Sequence, residues 1–214
     1  MAGDKKWFER CEKYTLVDGD SGFQINFAGM KFADKELAKL TPKFAAAHKG
    51  MKAIEAGKIK NPDEKRKVTH FTDRIAYPSS PLFKSVEQFA AGVRTGKGKG
   101  STGKRFEFAI VNGIGGSALG PELLQFAVNG PYWNELDLKA RKGNLRIYFL
   151  DNTDSAGLCD ALNVVDLETT IILNISKSGG TQETKNNMIA IEAAYKKAGL
   201  NFAKHSTAIT MNGS

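Results

Sequence analysis

Residues 106–121, Phe106-Glu107-Phe108-Ala109-Ile110-Val111-Asn112-Gly113-Ile114-Gly115-Gly116-Ser117-Ala118-Leu119-Gly120-Pro121, decide the fold. Phe106 to Val111 is a short apolar run of strand character. The glycines after it are turn formers, and a helix is predicted from Ala118 to Asn129. A strand that passes through a glycine turn directly into a helix is the first half of a βαβ unit.

Downstream, the same alternation repeats. Arg146 to Leu150 reads as a second strand with a helix from about Ser155 to Leu162, and Thr169 to Ile175 as a third strand. The third strand feeds a long helix whose Met188, Ile191, Tyr195 and Ala198 share one face, closed by Gly199; His205 to Met211 gives a fourth strand. The alternation implies an α/β fold, a parallel sheet with helices on both faces joined by right-handed crossovers. No internal repeat or low-complexity tract competes with it.

Upstream, the first hundred residues read as mainly helical. Leu37, Leu40, Phe44, Ala47, Met51 and Ile54 recur at helical spacing and predict a core-facing stripe. Thr41-Pro42 reads as an N-cap with proline at the first helical position, predicting a short helix and then a longer one from Pro42 to Ala56, closed by Gly57. Asn61-Pro62-Asp63-Glu64 reads as another helix start and Tyr77-Pro78-Ser79-Ser80-Pro81 as a break. Leu82, Val86, Phe89 and Val93 mark a further amphipathic helix.

Composition narrows the class. The chain has 214 residues, 41% hydrophobic content and a formal net charge of +8. Its densest basic cluster, Arg94 to Arg105, holds Arg94, Lys97, Lys99, Lys104 and Arg105 with no acid and no aromatic, so it reads as a solvated loop rather than a base-stacking surface. No nucleic-acid partner is expected, although the charge suits a small anionic substrate. The charged start, Met1 to Trp7, leads into no apolar h-region, and no later stretch is long enough to cross a bilayer, which argues against secretion or membrane insertion. Cys11 and Cys159 lie far apart without ligand spacing, so neither a disulfide framework nor a zinc site is expected, and a reducing cytoplasm fits.

In open parallel sheets, ligands gather at the carboxyl ends of the strands, where helix N-termini offer partial positive charge. Two loops there carry the chemistry. In Gly113-Ile114-Gly115-Gly116-Ser117 the glycines permit close backbone approach to an anion, and Ser117 can cap a helix or donate to a ligand. In Ser176-Lys177-Ser178-Gly179-Gly180-Thr181-Gln182-Glu183-Thr184, hydroxyls, glycines and a lysine gather at a helix mouth, with Ser176, Ser178 and Thr181 as side-chain donors and Lys177 contributing mainly its backbone N–H. Simple capping accounts for one hydroxyl, not three. The first loop also meets the relaxed dinucleotide pattern G-x-G-x-x-A from Gly113 to Ala118, with Asp151 as a ribose-holding acid, but Asp151 falls beyond the usual spacing of roughly 20 residues.

Together, the segments GIGGSALGP at 113–121 and SKSGGTQET at 176–184 resemble the two signature loops of the sugar isomerase (SIS) domain in glucose-6-phosphate isomerases. Phe149-Leu150-Asp151-Asn152-Thr153-Asp154 resembles that family's strand ending in an Asn-x-Asp segment, and residues 61–70 resemble its N-terminal helical stretch. The resemblance implies a three-layer αβα sandwich over 101–214 preceded by a mainly helical segment over 1–100. It implies a sugar-phosphate substrate gripped by Ser117, Ser176, Ser178 and Thr181, with Gly116 and Lys177 giving backbone contacts. Gly179-Gly180 departs from the bulky and hydroxyl residues more usual in that loop.

The family interconverts glucose 6-phosphate and fructose 6-phosphate through an enediol, in glycolysis and gluconeogenesis, without a metal or other cofactor, and its members commonly pair as homodimers. Its catalytic glutamate, histidine, lysine and arginine lie in parts that correspond to positions beyond residue 214, so no catalytic residue is assigned here. Glu183 reads as a dipole-complementing residue in the first turn of its helix, His205 as structural or exposed, and His70 has no recognisable catalytic partner. Ser214 follows a strand where a further helix would cover the sheet, which predicts a chain truncated at its C-terminal end. The principal alternative is a non-catalytic sugar-phosphate-binding module or sensor; a dinucleotide-dependent oxidoreductase comes third.

Overall fold

A computed structural model describes residues 2–61, 65–211 and 213. The chain divides into two compact units, Met1–Tyr77 and Pro78–Ser214.

The first unit runs α1 (Ala2–Lys13), β1 (Thr15–Val17), β2 (Gln24–Asn26), α2 (Asp34–Glu55), β3 (Ile59–Asn61), β4 (Arg66–Lys67) and α3 (His70–Ala76), with β1–β2 and β3–β4 each pairing antiparallel. Arg10 knots it together. Its guanidinium donates to the Ala28 and Met30 carbonyls, both at 2.7 Å, and lies over the rings of Tyr14 and Phe32. Those rings and Phe27 pack on one another, so an aromatic cluster replaces a larger core.

Three sequence expectations are corrected in this unit. The helix does not restart at Pro42: α2 runs unbroken from Asp34 with Pro42 inside it. It begins eight residues earlier, about two turns, because the Glu36 carboxylate accepts from the Ala33 N–H at 2.6 Å, and the intact turns on both sides offset the one hydrogen bond that proline removes. The stripe from Leu37 to Ile54 is no core, since α2 buries none of its residues and Leu40, Phe44 and Met51 are exposed. Periodicity marks a face that could be buried, and the partner must come from elsewhere. Asn61 ends β3 rather than starting a helix, while Pro62, Asp63 and Glu64 of the same expectation lie outside the described residues.

Tyr77–Ser79 forms a single 3₁₀ turn, and in the second unit Ser80 caps α4 (Pro81–Arg94) by accepting from the Phe83 N–H at 3.1 Å. The alternation follows: β5 (Phe108–Asn112), α5 (Leu119–Asn129), β6 (Arg146–Leu150), α6 (Ser155–Val164), β7 (Thr170–Ile175), α7 (Gln182–Lys197) and β8 (Ser206–Ile209). The four strands form one parallel sheet in the order β6-β5-β7-β8. Period-2 alternation sends Ile110 and Ile172 to one face, against Ala161 of α6 and Ile191 and Tyr195 of α7. Ala109 and Ile171 go to the other, with Phe106 and Val93 of α4. The outcome is the expected three-layer α/β arrangement. Asn134 closes the outer edge of β6 by accepting from the Ile147 N–H at 2.9 Å and donating to the Ile147 carbonyl at 2.8 Å.

The basic segment 94–105 faces solvent over most of its length, as its composition suggests, and closes on itself as a hairpin. Lys99 and Arg105 form a bridge, Gly100 N–H donates to Lys104 O at 3.1 Å, and Lys104 pairs with Glu168. Its anchor is the buried His205, whose Nε2 accepts from the Ser101 N–H at 2.9 Å while Nδ1 faces the Thr170 carbonyl at 3.0 Å. An amide can only donate, so Nδ1 carries the imidazole proton. Glycine at position 100 is required: a Cβ there would stand 2.7 Å from His205 Nε2 and 2.9 Å from Glu168 O.

Candidate functional site

The strand order sets where the loops diverge. From β5 the chain crosses α5 to β6 on one side, then returns through α6 to β7 on the other side of β5. The loops leaving adjacent β5 and β7 therefore diverge, and the space between them at the carboxyl edge is the topological switch point. Both loops singled out in the sequence flank it.

In the loop after β7, Ser176 is buried and its Oγ stands 2.8 Å from Thr181 Oγ1. Thr181 occupies the N-cap position of α7, yet its side chain makes no capping bond. Ser178 Oγ accepts from the Gly180 N–H at 3.2 Å, and Gly179, at φ 69°, turns the chain in the left-handed region. Ser178 and Lys177 are exposed on this turn, whose end is pinned where the Lys177 carbonyl accepts from the Met211 N–H at 3.3 Å. Two hydroxyls thus meet at the mouth of a sixteen-residue helix, where its dipole places partial positive charge.

The loop after β5 comes close to the first. Gly113 has no room for a side chain: a Cβ would stand 2.9 Å from Ser117 Cβ and 3.2 Å from the Ile175 carbonyl, which immediately precedes Ser176. That contact brings Ser117 beside the end of β7. Gly115–Ser117 is a 3₁₀ turn entered at Gly115 with φ 55°, leaving Gly116 exposed and Ser117 half-buried. Asp151 lies exposed just past β6. Glu122, in the first turn of α5, is held above the usual carboxylate range by burial and then by the Asp151 charge.

One group of residues escaped the sequence reading. Asn112, Asn174 and Asn187 are buried and linked beneath the two loops, with Asn112 Nδ2 donating to Asn174 Oδ1 and to Thr184 O, both at 2.8 Å. An asparagine at the carboxyl end of each of two mainly apolar strands, last in β5 and next to last in β7, was the available signal. Glu183 lies half-buried in the first turn of α7, His70 opens α3 in the other unit against the Phe71 ring, and His205 is the buried anchor of the basic hairpin. Among the described residues, no three His, Cys, Asp or Glu side chains group as a metal centre, and no helix is long and apolar enough to cross a membrane.

A family model described as phosphoglucose isomerase matches residues 34–214. A glucose-6-phosphate isomerase of Acaryochloris marina is 38% identical over 97% of this chain and 39% of its own length. The corresponding protein of Geobacter sulfurreducens is 36% identical over 100% of this chain and 41% of its own. In three dimensions, the crystal structure of a glucose-6-phosphate isomerase from Chlamydia trachomatis matches 96% of this chain and 40% of its own, with a TM-score of 0.63 and 26% identity. The chain thus spans about 40% of the length of the relatives it matches.

Proposed function

Because the chain belongs to the phosphoglucose isomerase family, we propose that it supplies the phosphate-gripping part of a glucose-6-phosphate isomerase. The observation that supports this is the Ser176–Thr181 hydroxyl pair at the mouth of α7, beside the glycine turn that carries Ser117. A phosphate dianion needs several short donors around one point. Here they are the hydroxyls of Ser117, Ser176, Ser178 and Thr181, the backbone N–H groups of Gly116 and Lys177, and the positive end of α7.

The proposed reaction moves a proton between C1 and C2 of an open-chain sugar through an enediol. Holding the distant phosphate uses binding energy to fix the reacting carbons without touching them. The acid and base that move the proton are not assigned among these residues, and little or no turnover is expected from residues 1–214 alone. On this reading, 101–214 is a sugar isomerase domain of a cytoplasmic enzyme of glycolysis and gluconeogenesis, homodimeric in its full-length form. The free thiols of Cys11 and Cys159 suit a reducing compartment.

Calorimetric titration with glucose 6-phosphate, with glucose and NAD as controls, tests the proposal. Saturable binding that requires the phosphate is expected. Selective NAD binding would instead support a dinucleotide site at Gly113 to Ala118 and Asp151, and a folded chain that binds none of the three would remove the grip.

A further inference from the structure

A buried side-chain amide is costly unless all its hydrogen-bonding groups are met. Asn112 ends β5 with no exposure, and its register partner Asn174 and its neighbour Asn187 are almost as deeply buried. The Asn112 amide is fully met. Asn112 Nδ2 donates to Asn174 Oδ1 and to Thr184 O, and Asn112 Oδ1 accepts from Asn187 Nδ2 at 3.3 Å. Asn187 Nδ2 also donates to Asn152 O at 3.0 Å, and Asn174 Nδ2 donates to Ser206 Oγ at 2.9 Å.

Apart from the bond to Ser206, which opens β8, these bonds end beside loops at the carboxyl edge of the sheet. Asn112 immediately precedes Gly113, Asn174 stands two residues before Ser176, Asn152 lies in the loop after β6, and Thr184 is in the first turn of α7. Apolar side chains could fill the same space, but they would let the loops slide, whereas an amide fixes its neighbours by direction as well as distance. We infer that Asn112 is a positioning residue: it holds the loops after β5, β6 and β7 in one register, so that Ser117 and the Ser176–Thr181 pair face the same point. The inference rests on the phosphate-gripping reading of those loops, and it assigns Asn112 no contact with the ligand.

Three variants of residues 1–214 test it. Asn112→Asp sets an acceptor against the Asn174 and Thr184 oxygens, and Asn187→Ala removes the weaker half of the network. Ile191→Val, one turn along α7 in the apolar core, serves as a destabilised control. Segment-resolved hydrogen exchange should quicken together over 113–118, 152–154 and 176–185 in the two asparagine variants. Their affinity for glucose 6-phosphate should fall about tenfold, the equivalent of one misaimed charged hydrogen bond, while Ile191→Val binds as the parent does. Exchange that quickens only around the substituted residue, or affinity unchanged despite loosened loops, would overturn the inference. If Asn112→Asp fails to fold, Asn187→Ala carries the decision. If the parent chain binds no glucose 6-phosphate, the phosphate reading fails, and exchange alone then decides whether the asparagines tie the loops.

Discussion

Ser176 Oγ and Thr181 Oγ1 lie 2.8 Å apart, so the threonine at the N-cap position of α7 bonds the end of β7 rather than its own helix. A capping side chain would occupy the first-turn amides. Turned toward Ser176, the hydroxyl leaves them to a ligand. We therefore expect Ser176→Ala combined with Thr181→Ala to abolish measurable glucose 6-phosphate binding while far-UV circular dichroism stays unchanged. Parental affinity in calorimetric titration would refute the grip.

Crowding at Gly113 gives a second prediction. A methyl group there would press on Ser117 Cβ and the Ile175 carbonyl, so Gly113→Ala should destabilise the fold by about 1–3 kcal/mol, as overpacking does. Gly116 has nothing within 4 Å of its would-be Cβ, so Gly116→Ala should be tolerated. Denaturant titration of the two variants checks the contrast, and equal midpoints would show that the two loops are not in contact.

The buried His205 gives a third. In His205→Leu the Thr170 carbonyl keeps the Tyr195 hydroxyl, which donates to it at 3.0 Å, but the Ser101 N–H loses its acceptor. Ser101 is half-buried, so orphaning its donor costs about 1 kcal/mol, the low end for such groups. Thermal unfolding should shift down accordingly, and the Ser101 amide should exchange faster than those of β5. Protection unchanged at Ser101 would mean that the hairpin is held by its other contacts alone.

Glu122 supplies the pH dependence. Its folded-state pKa is raised by burial and by Asp151, so ionising it works against the fold. The penalty is absent below its unfolded pKa and complete above the raised folded value, so stability falls as pH rises through the acid range. Glu122→Gln should stabilise the chain at neutral pH and converge with the parent in acid. A gain that stays constant across pH would locate the effect in packing instead.

By itself, the sequence determined the βαβ alternation and the places of the two loops. Those signals are local: the strand 146–150, the turn chemistry of Gly113 to Ser117 and the hydroxyl run from Ser176 to Thr181 depend on neighbours in the chain. Local signals also misled. Thr41-Pro42 looked like a helix start, and the Leu37 to Ile54 stripe looked like a core face, because neither turn-by-turn compensation nor the presence of a packing partner is written in spacing.

Tertiary structure decided which distant groups meet. The order β6-β5-β7-β8 made Asn112 and Asn174 register partners and set the loops after β5 and β7 side by side, and the packing of His205 turned a glycine-rich basic run into a hairpin. Such pairings join residues far apart in the chain, and their energy depends on burial and direction, which exist only once the sheet has formed.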